Sequence, residues 1–141
     1  PELLFAAEEA AWAHPVPFAK SEFGMDGEVY FTDGPCVFAA EDDLYMLWSS
    51  WGTKGYAVGA ARSETGMLRG PWIQQAVPVF PENGGHGMVF RDKKEQLHFT
   101  LHYPNDKYKE HPEFRQIIIE NKQVMLRDRR EEQKNENSEM E

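Results

Sequence analysis

The sequence predicts an all-β protein made of propeller-type blades, and three observations carry that prediction. The first is an internal repeat. Val37-Phe38, an acidic turn and the run 44–49 return as Val89-Phe90, a turn one residue longer, and the run 97–102. A spacing of about fifty residues falls in the range of four-stranded propeller blades. The second is the alternation, from Glu28 onward, of short apolar runs with turn-forming residues. The third is that no segment between Trp12 and the C-terminal tail keeps a 3.6-residue apolar period long enough for a helix.

Taken in order, residues 1–27 form an N-terminal segment. Glu8 to Ala13 suit one or two helical turns, which His14-Pro15 ends because the residue before proline avoids the helical region. Strands are expected at 29–32, 36–39, 44–49, 56–62, 72–74, 88–91, 96–102, 114–119 and 123–126. The breaks between them carry turn chemistry: Glu41-Asp42-Asp43, Gly52-Thr53-Lys54-Gly55, 66–71, 81–85, 92–95, 104–112 and Asn121-Lys122. The runs 36–49 and 88–102 found the two blades, and 114–126 is expected to begin a third. Residues 28–126 thus make the folded body. The tail, 127–141, is almost wholly charged or amide-bearing, with Met140 its one hydrophobic residue. Such a segment buries too little to offset its ordering entropy, so it is either disordered or a polar helix that a partner stabilises.

Composition narrows the function. The chain has 141 residues and a formal net charge of −9. That charge argues against nucleic acid and anionic membrane as partners, since both require basic patches. A single cysteine, Cys36, excludes an intrachain disulfide and reads as a small buried side chain. No apolar run reaches the ~18 residues that cross a bilayer. The start, Pro1-Glu2-Leu3-Leu4-Phe5, has neither the basic residues nor the long apolar core of a signal peptide. The chain reads as soluble, with its compartment open.

Both repeats begin with pointed chemistry. Asp33 stands beside Gly34-Pro35, and His86 stands within Gly84-Gly85-His86-Gly87. Polar residues among glycines at a strand start can face a cavity, because the nearby backbone carries little bulk. Asp33 has two readings. It is good turn chemistry, and it is also a carboxyl group following the apolar Val29-Tyr30-Phe31, where desolvation would raise its pKa toward that of a general acid. His86 can contact a ligand or coordinate a metal, but no local cluster has zinc-ligand spacing. His102 ends the second repeat's strand and suits either structure or a cleft. His98 alternates with apolar residues and is expected to face solvent. Tyr45, Trp48, Trp51 and Tyr56 gather at one hairpin and suit packing. Trp51, at a strand end before Gly52, also suits a platform for the apolar face of a sugar. Trp72 reads as structural, and Met67 and Met88 as core.

These motifs have a shared order: Thr32-Asp33-Gly34-Pro35, Leu44-Tyr45-Met46-Leu47-Trp48-Ser49-Ser50, Tyr56-Ala57-Val58-Gly59-Ala60-Ala61-Arg62-Ser63, Gly70-Pro71-Trp72 and Gly84-Gly85-His86-Gly87-Met88-Val89-Phe90. In that order and spacing, over residues 28–126, the chain resembles glycoside hydrolase family 43. The resemblance implies a five-bladed β-propeller, inverting hydrolysis, and oligosaccharides or plant polysaccharides containing arabinose or xylose. It places the general acid on Asp33 and the central histidine, often near a calcium ion, on His86. Calcium takes about six to eight oxygen ligands, so waters would have to supply most of its shell. No other cofactor is implied.

Three departures qualify the resemblance. Many members carry Glu where this chain has Asp33, one methylene shorter. A complete catalytic domain of the family is about twice this length, so the chain resembles its C-terminal half, roughly blades three to five. Nothing here matches the family's general base, and Glu8, Glu9, Asp26 and Glu28 lie outside any matching motif. The expectation is a glycosidase-like fragment that is weakly active or inactive alone, with a non-catalytic carbohydrate-binding module, or a half-propeller that assembles with another copy to close its sheets, as the alternative. Because open blade edges and apolar flanks are costly in a monomer, a homo-oligomer is expected.

Overall fold

The computed structural model describes residues 1–140 of the chain. Among them, eight strands form two four-stranded antiparallel sheets. The first blade runs β1 (Asp33–Ala40), β2 (Asp43–Gly52), β3 (Gly55–Ser63) and β4 (Trp72–Gln74) in spatial order. The second runs β5 (Gly85–Arg91), β6 (Leu97–Tyr103), β7 (His111–Glu120) and β8 (Gln123–Arg127) in the same way. This is a partial β-propeller, the all-β class that the repeat predicts.

Tight hairpins follow from the turn residues. Between β1 and β2, Glu41 and Asp42 both adopt positive φ and Ala40 pairs with Asp43. Between β7 and β8, Asn121 and Lys122 do the same and Glu120 pairs with Gln123. Two positive-φ residues give the turn whose twist matches the flanking strands, and Asp and Asn tolerate it better than most side chains.

The core has two layers. One lies between the blades, where Phe38, Tyr45, Leu47, Val58 and Ala60 of the first meet Phe99, Leu101, Ile117 and Val124 of the second. The other covers the opposite face of the first blade. There Met46, Trp48, Ala57, Ala61 and Trp72 pack against Ala7, Ala10, Trp12 and Ala13 of the N-terminal segment. Trp12 approaches so closely that a Cβ added to Gly59 would lie 2.3 Å from its ring. Residues 1–27 are therefore part of the fold, with a 3-10 turn at Ala7–Glu9 and a short helix α1 at Ala19–Phe23.

Several expectations are corrected. Residues 29–32 form no strand, because their carbonyls are taken singly: Val29 accepts from the Val16 N–H at 2.8 Å and Phe31 from the Ser50 hydroxyl at 2.7 Å. The segment 114–126 starts no third blade. As β7 and β8 it completes the second, since Ile117 and Val124 share the face of Phe99 and Leu101. Met88 is 68% exposed because it lies on the second blade's uncovered face, and Met67 is exposed in a loop. Cys36 is only half-buried, its Sγ accepting from the Val89 N–H across the seam between β1 and β5. His98 is buried rather than solvent-facing, stacked on Phe90 and hydrogen-bonded to Asp92 at 2.8 Å.

The tail forms helix α2 (Arg129–Glu139). Asp128 caps it by accepting from the Arg130 N–H at 3.0 Å. Arg130 also reaches the buried Glu113 of β7 at 2.7 Å. Glu141, the last residue of the expected tail, lies outside the described residues. No helix is long and apolar enough to cross a membrane among the described residues.

Candidate functional site

The two blades begin alike, and the site grows from that likeness. Asp33 pairs with Ser49 and Cys36 with Leu47, with a bulge between them. Gly85 pairs with His102 and Met88 with Thr100, with a bulge at the same place. Gly34, at φ +49, and His86, at φ +51, occupy equivalent positions in these bulges. Asp33 and His86 are thus not equivalents; they are neighbours. The bulges aim both toward the seam between the blades, as bulges often re-aim side chains.

Asp33 is gripped from three directions. Its Oδ1 accepts from the Gly34 N–H at 2.9 Å. Its Oδ2 accepts from the Tyr56 hydroxyl at 2.6 Å and lies 3.1 Å from His86 Nδ1. The His86 N–H in turn donates to Ser49 Oγ at 2.9 Å. Partial burial pushes the Asp33 carboxyl up, but the Tyr56 and His86 contacts and the Gly34 N–H outweigh it and hold the group below its ordinary range. This corrects the expected upward shift: three donors favour the anion. Burial, reinforced by the hydrogen bond to Asp33, pushes Tyr56 well above its ordinary value, so its hydroxyl stays a donor.

Around this centre lies a pocket of about 570 Å³. All four expected site residues, Asp33, Trp51, His86 and His102, line it. His102 stacks on Tyr56 with ring centroids 5.5 Å apart, and its Nε2 pairs with Asn105 Oδ1 at 2.8 Å. Trp51 meets Phe18 edge-on at 5.0 Å, so part of its ring is already engaged. Sequence reasoning missed the other wall, where Phe18, Phe23 and Met25 come from the N-terminal segment and Phe31 from the stretch leading into β1. It also missed Tyr56 as a site residue. The available signal was its place at the start of a strand after Gly55, directly across the hairpin from Trp51.

The residues do not suit a resident calcium ion. Among the described residues no group of three or more His, Cys, Asp or Glu side chains could hold a metal. His86 has one carboxylate beside it, and that carboxylate is already engaged by three donors. A calcium shell is built mainly from oxygen atoms, and this chain's own side chains do not provide it.

The fold is shared with solved glycoside hydrolases. The chain is 37% identical to the endo-arabinase from Bacteroides thetaiotaomicron VPI-5482, with a TM-score of 0.73 over 86% of this chain and 41% of that one. It matches a thermostable family-43 glycoside hydrolase at 20% identity and a TM-score of 0.61, over 72% of this chain and 37% of that one. An exo-1,5-alpha-L-arabinanase from a bovine ruminal metagenomic library matches at 16% identity and a TM-score of 0.58, over 82% of this chain and 43% of that one. The chain therefore spans about two fifths of the length of these structures. Neither a protein-family model nor a curated protein matches the sequence.

Proposed function

We propose that this chain, which carries part of a family-43 glycoside hydrolase propeller, supplies a sugar-handling site of a glycosidase acting on arabinose- or xylose-containing glycans. The observation that carries this reading is the convergence of Asp33, Trp51, His86 and His102 on one pocket, in a chain 37% identical to an endo-arabinase. Asp33 and the two histidines offer polar contacts, and Trp51 with the aromatic wall offers apolar surface for a sugar ring.

In the complete enzyme Asp33 is the proposed general acid. Its low pKa in this chain bears directly on that role. Inverting hydrolysis uses a second carboxylate about 6.5–9.5 Å from the acid. Asp33 is the one carboxylate lining this pocket among the described residues. A second carboxylate brought close by the rest of a propeller would raise the Asp33 pKa through like-charge repulsion and complete the pair at once. Without it the chain binds sugar but turns it over poorly, since a placed acid or base contributes about 10²–10⁴-fold. That same lack supports a second reading, a non-catalytic carbohydrate-binding module.

Assays of this chain against aryl arabinofuranosides and xylosides, beside an Asp33→Asn variant, separate the readings. The expected result is measurable sugar binding with trace turnover. Robust turnover abolished by Asp33→Asn would mean that the base comes from this chain or a second copy. Robust turnover indifferent to the substitution would remove Asp33 from the site. Self-association belongs to the same proposal: the exposed Met88, Phe90, Phe114 and Met125 favour a homo-oligomer, and light scattering that finds a monomer at every concentration would defeat it.

A further inference from the structure

We infer that His86 is a group this pocket presents to a ligand oxygen, and that Asp33, besides lining the pocket, fixes the tautomer of the His86 ring. The inference rests on the carbohydrate reading given above. It begins from how Asp33 is engaged. Both its oxygens are engaged, Oδ1 by the Gly34 N–H and Oδ2 by Tyr56 and His86. An ionised carboxylate only accepts, so His86 Nδ1, 3.1 Å from Oδ2, must carry the hydrogen. The neutral ring then holds its lone pair on Nε2, which no protein group among the described residues hydrogen-bonds.

The ring is also held in place from the first blade. The His86 N–H is tied to Ser49 Oγ, and the ring packs against Gly34 so closely that a Cβ there would stand 2.9 Å from it. His86 keeps a positive φ that side-chain-bearing residues rarely adopt. Strained backbone persists where the surroundings over-determine it, and such positions cluster at ligand sites. Its side chain is nevertheless 56% exposed. The ring lines both the main pocket and a shallower hollow of about 370 Å³ beyond it, near Met88, Thr100 and His111. It therefore stands on the ridge between two concavities, where an extended ligand crossing from one to the other must pass it. Neutral Nε2 accepts from a hydroxyl, which a sugar supplies in abundance. Once protonated it donates to an oxygen that bears no hydrogen.

The test is nitrogen NMR on protein labelled in its histidine rings, titrated with arabinotriose above pH 7. The expected spectrum has His86 protonated at Nδ1 and bare at Nε2, and saturating arabinotriose moves the Nε2 resonance. In Asp33→Ala the acceptor is gone and the Nε2–H tautomer should take over. Affinity should fall in that variant and in His86→Ala by about tenfold, the loss of one hydrogen bond. Tyr56→Phe removes a donor to Asp33 but should keep the His86 tautomer. If Asp33→Ala does not fold, the wild-type tautomer and titration decide the matter alone. A wild-type ring protonated at Nε2, or an Nε2 resonance indifferent to bound sugar, would overturn the inference. A correct tautomer with no affinity for arabinotriose or xylotriose would support the pairing and overturn the carbohydrate reading.

Discussion

The two blades begin from the same plan and end in different circumstances. Phe38 faces Tyr45 across β1 and β2, with ring centroids 5.5 Å apart and planes 21° from parallel. Phe90 faces His98 across β5 and β6 at 5.3 Å and the same 21°. Local geometry is conserved by the strand register. Burial is not: Phe38 is 8% exposed and Phe90 is 40% exposed. The first blade has the N-terminal segment on one face and the second blade on the other. The second blade has the first on one face, while Met88, Phe90, Phe114 and Met125 stay open on the other. A residue pair thus inherits its geometry from its own blade and its energetic weight from the neighbour.

The sharpest way to break this comparison is to truncate the equivalent rings. Phe38→Ala should cost about 3–5 kcal/mol, the usual loss for a buried phenylalanine. Phe90→Ala should cost no more than about 1 kcal/mol, its share of an exposed aromatic pair. Urea unfolding of both variants measures the difference. Equal losses would mean that the open face is covered in solution.

A smaller effect separates the two bulges. Gly34→Ala puts a side chain at φ +49 and a Cβ 2.9 Å from the His86 ring, so it should destabilise by about 1–2 kcal/mol from backbone conformation alone, with more from the ring clash. His86→Gly, at the equivalent position, should have the opposite sign and stabilise by up to about 1 kcal/mol. Sugar binding should nonetheless suffer. That reversal, read by thermal unfolding beside calorimetric binding, would mark His86 as retained for contact rather than for stability. A His86→Gly variant as destabilised as Gly34→Ala would argue instead that the imidazole holds the blades together.

The smallest effect is acidic. Asp33 belongs to the first blade, whereas Asp92, Glu113 and the adjoining Asp128 belong to the second, and all four are held below their ordinary range. A carboxyl group whose folded pKa is depressed stabilises fully above its unfolded value, and the benefit disappears as pH falls through the folded value. Below pH 4 the second blade should therefore lose more. Hydrogen exchange should show the amides of β6, β7 and β8 losing protection at a higher pH than those of β2 and β3.

Much of this architecture was legible because it is local. The equivalence of Val37-Phe38 with Val89-Phe90 survives in the sequence because turn chemistry and strand alternation are written within a dozen residues. The outer strands were harder. β3 and β4 are joined through residues 64–71, whereas β7 and β8 meet in a two-residue turn, so no common period spans them. Helix α1, five residues long, is too short for a periodic signal. At the site, Asp33, Trp51, His86 and His102 stood out by their places at strand ends, and all four line one pocket. The electrostatics were not, because they depend on long-range partners. Val29-Tyr30-Phe31 suggested a desolvated carboxyl, yet Tyr56 arrives from 23 residues away and His86 from 53, and together they reverse the sign.

The seam between the blades has one further consequence. Asp33, Ser49 and Tyr56 belong to one sheet, and His86 and His102 to the other. The pocket is complete only while the two sheets are docked, since His86 and His102 close it from the second. A ligand that touches both sides binds the docked form alone, so its binding free energy adds to the docking equilibrium by mass action. Saturating sugar should therefore make the protein more cooperative, fusing any separate melting of the two sheets into a single transition. Conversely, a chain whose sheets part will lose its affinity before either sheet has unfolded.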